Sequence, residues 1–258
     1  MANLVQLVEL HHELQILSLW ECDRMEEEVA EMVREGRLHT DHLERLVLPI
    51  IPETALPPCP RLKYLEFGDV WFREAKELSS AFSESLGNLV QLHELHMTGA
   101  SVPESVGNLT QLRVLHVDVS GRDPLPETLR NLVRLQILHV PWSKCERLPE
   151  HVGDLVSLRD LLLVCGELVE LPSSLGRLSQ LRTLNLRYCK NLERLPESLG
   201  LLTQLRELNL GGCQKLEGLP DSVLGLTQLT QLEITRCTKL TLKEEVRHAL
   251  TERGCKIF

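Results

Sequence analysis

Two consecutive segments of this chain carry the same pattern at a fixed interval. The first runs from Leu181 to Gln204 and reads LRTLNLRYCKNLERLPESLGLLTQ. The second runs from Leu205 to Gln228, begins 24 residues after the first, and keeps most of its leucines, its cysteine and its proline. A third copy starts at Leu229. A fixed period of about 20 to 29 residues predicts an array of similar units, each stacked on its neighbour.

Each unit opens with Leu-x-x-Leu-x-Leu-x-x-Cys, which indicates a short strand. In the unit that begins at Leu205, Leu208 and Leu210 alternate with Asn209, so the leucines point inward and the asparagine faces solvent. A strand of about three residues cannot bury its leucines alone and must stack in parallel, at about 4.8 Å per rung. The pattern predicts an α/β leucine-rich repeat solenoid, a horseshoe with a parallel concave sheet of about ten short strands and helical turns on the convex side.

The remainder of each unit predicts the bend and the convex side. Pro220 ends the extended run, and the Pro-x-Ser pattern that continues to Ser222 starts a short helical turn. The ninth position of the pattern is expected to hold a buried packing thiol. A reducing compartment suits such unpaired cysteines. The cysteines at that position are Cys22, Cys189, Cys213 and Cys237.

The segment from Cys189 to Leu202 reads Cys-x-x-Leu-Glu-x-Leu-Pro-x-Ser-Leu-Gly-x-Leu. It resembles the leucine-rich repeats of plant intracellular nucleotide-binding immune receptors, the disease resistance proteins. The resemblance is good from Leu86 to Leu240 and looser before Leu86. Plant Ras-group related leucine-rich repeat proteins share the Leu-Pro-x-Ser-Leu-Gly-x-Leu part. The resemblance implies a cytoplasmic protein of plant defence and signal transduction, with a nucleotide-binding module upstream of this chain.

The repeat grid predicts one leucine-rich repeat domain over residues 1–258. Residues 1–85 form irregular repeats, in which we expect outer helices over Met25 to Val33 and around Glu74 to Ser85. Residues 86–240 form the regular repeats. Residues 241–258 form a C-terminal helical cap, with an amphipathic helix from Lys243 that ends at Gly254 and a short apolar tail.

Composition and motifs exclude several classes of function. The chain carries 28 Lys and Arg against 37 Asp and Glu, a net charge of −9, which argues against binding to nucleic acid. No stretch approaches 18 apolar residues, so no membrane span is predicted. The sequence contains no phosphate-binding loop, no Gly-x-Ser-x-Gly elbow and no His-Glu-x-x-His motif. We therefore predict neither an enzyme nor a cofactor site.

Equivalent positions of successive strands lie side by side, so outward residues form columns across the sheet. The second position holds an arginine in four rungs, which we call the arginine column: Arg113, Arg159, Arg182 and Arg206. This column predicts a basic docking strip for an acidic protein partner or for an acidic surface of the same parent protein. Glu170, Glu193 and Glu217 lie on the loops that leave this face. The alternative is a solvated face with local ion pairs, such as Arg206 with the neighbours of Glu207.

The fifth position holds an imidazole in three adjacent rungs, which we call the histidine column: His96, His116 and His139. Three imidazoles at this spacing suggest a shared metal ion. Parallel strands hold side chains parallel rather than converging, so we favour no metal site. The alternative is a face whose charge depends on pH.

Two aromatic residues lie where a strand leaves the sheet, at the seventh or eighth position of their units: Trp142 and Tyr188. Trp20 occupies a similar position in the first unit. Aromatic side chains at such places are either interface anchors or partly buried covers of the bend. We include Trp142 and Tyr188 with the two columns in the predicted protein-binding face.

The sequence thus leads to a hypothesis of protein recognition on the concave face. The first form of it is the ligand-sensing or autoinhibitory repeat region of an intracellular immune receptor. The second is a free-standing signalling scaffold of the Ras-group related type, which docks a small GTPase or another signalling protein. Sequence upstream of Met1 would separate the two, because a phosphate-binding loop there would favour the receptor.

Overall fold

A computed structural model describes residues 15–18, 40–48, 51–68, 77–118, 125–141 and 144–258. In these residues the dominant element is one parallel sheet whose eleven strands follow one another in chain order. The first six strands are β1 (Ile16–Ser18), β2 (Arg45–Leu48), β3 (Tyr64–Gly68), β4 (Glu94–Thr98), β5 (Val114–Asp118) and β6 (Ile137–Val140). The others are β7 (Asp160–Leu163), β8 (Thr183–Asn185), β9 (Glu207–Asn209), β10 (Gln231–Glu233) and β11 (Lys256–Ile257).

The register of the sheet places equivalent leucines of successive units beside one another. Leu95 pairs with Leu115 of the next strand, and Leu184 pairs with Leu208 further along. These leucines are at most 1% exposed, because the strand alternation turns them into the space between the sheet and the convex side. The core is therefore one continuous leucine-lined layer. The predicted leucine-rich repeat solenoid is confirmed.

Short helices form the convex side, as the Pro-x-Ser pattern predicts. In the described parts of the chain, six five-residue 3₁₀ helices each begin directly after a proline, whose fixed φ and missing N–H suit that position. They span Glu104–Asn108, Glu127–Asn131, Glu150–Asp154, Ser173–Arg177, Glu197–Leu201 and Asp221–Gly225. An α-helix, α1 (Ser80–Gly87), takes their place after β3, and the Ser79 side chain accepts a hydrogen bond from the Phe82 N–H at its start.

The glycine of the Ser-Leu-Gly segment is required by contact between neighbouring units. A Cβ added to Gly153 would lie 2.5 Å from both the Cβ and the carbonyl oxygen of Ser174 in the next helix. A Cβ on Gly176 would meet Ser198 at 2.7 to 2.8 Å in the same way. The repeated serine and glycine thus let successive convex helices approach closely, a role that sequence analysis missed.

Thiols at the ninth position form a ladder on the backbone of the preceding unit. The Sγ of Cys189 lies 3.5 Å from the Leu163 carbonyl oxygen, and that of Cys213 lies 3.2 Å from the corresponding oxygen of Leu186. Both cysteines are fully buried, and burial raises the pKa of each thiol to about 12. The prediction of burial is wrong for Cys237, which is only partly buried because the last regular unit has fewer neighbours to cover it.

The C-terminal segment covers the end of the array with a helix and a strand. Helix α2 spans Glu244–Glu252 and buries Val246 and Leu250, while Gly254 follows it with a φ of +83°. The tail is more than an apolar end: β11 pairs in parallel with β10 and adds a further strand. Cys22, Trp20, Trp142 and the helix predicted over Met25 to Val33 lie outside the described residues.

Candidate protein-interaction face

The concave face is built from the residues on either side of the central leucine of each strand. Because successive strands pair in register, the third and fifth positions of each unit form two columns across the sheet. The second position, just before each strand, forms a third column along one edge. The predicted site residues of the described part occupy these columns or the strand exits.

The histidine column is a stacked series of rings. The ring centroids of His96 and His116 lie 5.6 Å apart with the planes at 10°, and those of His116 and His139 lie 5.9 Å apart at 74°. The series extends beyond the histidines, because the Tyr64 ring lies 5.1 Å from His96. The guanidinium of Arg45 lies 3.5 Å from the centre of the Tyr64 ring, a cation–π contact at the end of the stack.

Sequence analysis missed Tyr64 and Arg45 as members of this stack. Both occupy the third position of irregular units, where the spacing between repeats varies. Aligning the third position of every unit with the fifth position of the next would have indicated the contact of Tyr64 with His96. The hydroxyl of Tyr64 donates to Glu66 at 2.5 Å, which holds the ring in place.

Burial governs the electrostatics of the stack. It lowers the pKa of His96, an effect that Glu66 and Glu94 oppose, and it lowers the pKa of His116, with His96 and His139 adding to the shift. The side chains of His96 and His139 are 30% and 29% exposed. His139 also approaches a carboxylate, with Nε2 3.4 Å from Oδ1 of Asp160.

No cluster suited to a metal ion was found among the residues that the structure describes. The rings of His96 and His116 lie face to face instead of converging on a common point. The geometry of these residues therefore suits stacking contacts.

The arginine column lies along one edge of this face. The N–H of Arg182 donates to the Arg159 carbonyl oxygen at 2.8 Å, and the N–H of Arg206 donates to that of Arg182 at 2.8 Å, so these three occupy adjacent rungs. Arg113 lies apart, because Gln136 takes the rung between it and Arg159. All four side chains are exposed. Within the described ranges, none of the four guanidinium groups forms an ion pair or a side-chain hydrogen bond.

The glutamates on the loops that leave this face are not partners of the arginine column. Glu170 pairs with Arg147 at 2.6 Å and lies 4.0 Å from Arg194, and all three belong to the bridge that precedes the convex helices. The described structure records no ion pair for Glu193 or Glu217. The described residues therefore do not form a locally paired arginine column.

Tyr188 has an unusual backbone at the exit of its strand. Its φ is +60°, which non-glycine residues seldom adopt, and Gly212 takes the same left-handed conformation one rung later, as does Arg236 after that. A Cβ on Gly212 would lie 2.9 Å from the Tyr188 ring, so the ring lies over that glycine. The residue is nevertheless 38% exposed to solvent. Tyr188 is thus both a cover of the bend and an available contact.

The rungs of β8, β9 and β10 have a polar floor. Asn185 Oδ1 accepts from the Arg187 N–H at 3.1 Å, Asn209 Oδ1 accepts from the Gly211 N–H at 2.9 Å, and a Glu233 carboxylate oxygen accepts from the Thr235 N–H at 2.9 Å. Each side chain therefore supports the backbone turn at its own strand exit.

These features define a leucine-rich repeat module, a class of fold that serves as a scaffold for binding proteins. A family profile described as "Leucine-rich repeat region" matches residues 51–169. No curated protein matches the chain in sequence. No helix in the described part of the chain combines the length and apolar character that crossing a bilayer requires.

Solved structures resemble the chain in fold. The ectodomain of the plant membrane receptor kinase GASSHO1/SCHENGEN3 from Arabidopsis thaliana, solved with CASPARIAN STRIP INTEGRITY FACTOR 2, is 28% identical with a TM-score of 0.55. That match covers 81% of this chain but 25% of the receptor chain. The leucine-rich repeat domain of the type III effector XopL is 21% identical with a TM-score of 0.70, over 90% of this chain and 80% of that one. A TDR receptor is 24% identical with a TM-score of 0.62, over 85% of this chain and 39% of that one.

Proposed function

We propose that this chain recognises a protein partner through its concave face, as the ligand-sensing or autoinhibitory repeat region of an intracellular plant-type immune receptor. The observation that carries the proposal is the arginine column, whose four exposed guanidinium groups, three of them on adjacent rungs, form no ion pair or side-chain hydrogen bond within the described residues. Unpaired cations on a rigid sheet are ready to meet an acidic surface at little ordering cost. Tyr188 lies near the same end of the face as an aromatic contact.

Two features support the intracellular receptor class. The segment from Cys189 to Leu202 resembles the repeats of plant nucleotide-binding immune receptors. The thiols of Cys189 and Cys213 contact backbone oxygens of the preceding unit, so the reduced form is part of the folded structure. A cytoplasmic location keeps such thiols reduced.

The second candidate is a free-standing signalling scaffold that docks a small GTPase or another signalling protein. The Leu-Pro-x-Ser-Leu-Gly-x-Leu segment that builds the convex side supports it, because Ras-group related repeat proteins share that segment. The sequence encoded upstream of Met1 separates the candidates, since only the receptor requires a nucleotide-binding module there.

The experiment is affinity capture with two matched triple variants. The first inverts the charge of Arg159, Arg182 and Arg206 to Glu. The control inverts three arginines away from the concave face, Arg130, Arg177 and Arg194, and so changes the net charge by the same amount. The exposed ion pairs lost in the control contribute little to stability.

The proposal predicts that the concave variant loses capture of the parent protein's upstream domains, or of a partner from plant lysate, and that the control retains it. A separate Tyr188→Ala variant should also weaken capture, since truncation of a central aromatic contact commonly costs about 2 kcal/mol or more. Equal capture by both triple variants, with unchanged circular dichroism melts, would place recognition outside the arginine column.

A further inference from the structure

The floor of the concave face changes in chemistry along the sheet. From β3 to β7 its third and fifth positions hold three carboxylates, Glu66, Glu94 and Asp160, among rings and aliphatic side chains, which we call the aromatic floor: Tyr64, His96, Val114, His116, Ile137, His139 and Leu162. From β8 to β10 the corresponding positions are polar or acidic: Thr183, Asn185, Glu207, Asn209, Gln231 and Glu233. The part of the floor that offers apolar contact therefore lies on the β3 side of the rungs of Arg182 and Arg206.

The aromatic floor is suited to an uncharged side chain. Its rings are in contact with each other, and each of its three carboxylates has a contact within the floor: Glu66 with the Tyr64 hydroxyl, Glu94 with His96 at 3.9 Å, and Asp160 with His139. Burial lowers the pKa of His96 and His116, so both imidazoles are neutral at neutral pH. An aromatic or aliphatic side chain would gain ring contacts and buried apolar area there.

The edge beyond this floor is suited to negative charge. Arg159, Arg182 and Arg206 stand on three consecutive rungs, and none of them forms an ion pair with a carboxylate of the described residues, although Asp160 and Glu207 follow two of them in the chain. The chain has 37 acidic residues, yet these cations form no ion pair with them in the described structure. They are therefore available to a carboxylate from another molecule or segment.

The distance from the aromatic floor to the arginine column fixes the spacing between the apolar and acidic residues of a ligand. His139 lies two rungs before Arg182 and three positions further along its strand, so about 14 Å separates their backbones at 4.8 Å per rung and 3.3 Å per residue. Four extended residues span about 13 Å. Arg206 lies one rung further, at about 17 Å, which falls within the span of six extended residues. Residues four and six positions apart from an anchor point to the same side of an extended chain as the anchor.

We propose that the concave face takes an extended peptide segment with one apolar or aromatic anchor and acidic residues four and six positions from it. The anchor lies over His116 and His139, and the two carboxylates pair with Arg182 and Arg206. This inference rests on the proposed function for the use of the concave face, and it adds the chemical pattern of the partner.

The test is selection from a random peptide display library on the full chain. The expected result is enrichment of peptides that carry an apolar or aromatic residue with acidic residues four and six positions away. Enriched peptides without acidic residues, with acidic residues at unrelated spacings, or with no dependence on the concave arginines would overturn the inference. So would a selection in which no peptide is enriched.

A synthetic peptide from the selection then tests the contacts by fluorescence anisotropy. Arg182→Gln and His139→Ser should each weaken binding about tenfold, the loss of one charge-assisted or anchoring contact, whereas the convex control Arg177→Gln should leave it unchanged. Replacing the peptide's first acidic residue by its amide should remove the effect of Arg182→Gln. If the losses of binding free energy caused by Arg182→Gln and by the change in the peptide are additive, the assigned pairing is wrong.

This outcome is distinguishable from failure of the proposed function. Capture of a folded partner that depends on the arginine column, together with peptides of another pattern, would retain the proposed function and reject the inferred ligand.

Discussion

Gly153→Ala tests the contact between successive convex helices. The φ of Gly153 lies outside the left-handed region, so alanine is compatible with its backbone, and by that criterion alone the change would stabilise the protein by about 0.4 to 1 kcal/mol. The added Cβ, however, would lie 2.5 Å from the Ser174 carbonyl oxygen. Restoring an ordinary contact of about 3.5 Å requires the next helix to move by about 1 Å. Overpacking of this kind costs about 1 to 3 kcal/mol, so we expect net destabilisation.

The assay is urea denaturation of Gly153→Ala beside Gly166→Ala. Gly166 is the matched control, because a Cβ there meets no atom within 4 Å. We expect a lower urea midpoint with an unchanged slope for Gly153→Ala, and an equal or higher midpoint for Gly166→Ala. Amide exchange should also accelerate in the helix Ser173–Arg177 of the first variant. If both variants are as stable as the parent, the serine–glycine contact does not determine the spacing of the helices.

Two further predictions follow from buried groups. Cys213→Ser should destabilise the chain by about 1 to 3 kcal/mol, because a shorter hydroxyl replaces a thiol that fills an apolar site. In the native protein, a thiol reagent should label Cys237 well before Cys213. Equal labelling rates for the two would contradict the burial of Cys213. Since the pKa of His116 is lowered in the folded state, the unfolded chain binds more protons below about pH 6.5, and stability should fall as pH drops from there. His116→Asn should reduce this fall in melting temperature between pH 7.5 and 5.5, and a fall equal to that of the parent chain would refute the assignment.

The fold could be predicted from the sequence because the leucine spacing dictates it. The interval between Leu181 and Leu205 sets both the strand positions and their register, and the structure pairs Leu184 with Leu208 accordingly. The histidine column could be predicted for the same reason, since parallel pairing puts His96 beside His116. Such contacts need only the repeat length and the side-chain alternation.

Other features depend on how neighbouring units fit together, which one unit does not reveal. Within its own unit, the glycine of Ser-Leu-Gly indicates a turn. The equivalent Gly153 is instead required because Ser174 of the next unit leaves no space for a side chain. Cys237 has the same local pattern as Cys213 and is more exposed, because only the terminal segment follows it. The strand Lys256–Ile257 could not be predicted from the leucine pattern, because it has no leucine of its own and follows β10 in place of a repeat.

The arginine column is the feature that stability does not explain. Like charges on adjacent strands repel each other and lower stability slightly, whereas the leucines beside them are fixed by the core. Elsewhere on the surface the chain pairs its arginines at close range, as Arg130 with Glu127 and Arg177 with Asp154. Arg182 stands between two other arginines on the regular part of the sheet, and it forms no ion pair within the described residues. A carboxylate from outside the concave face is the group that would remove this repulsion, so occupation of the face should stabilise the array as well as fill it.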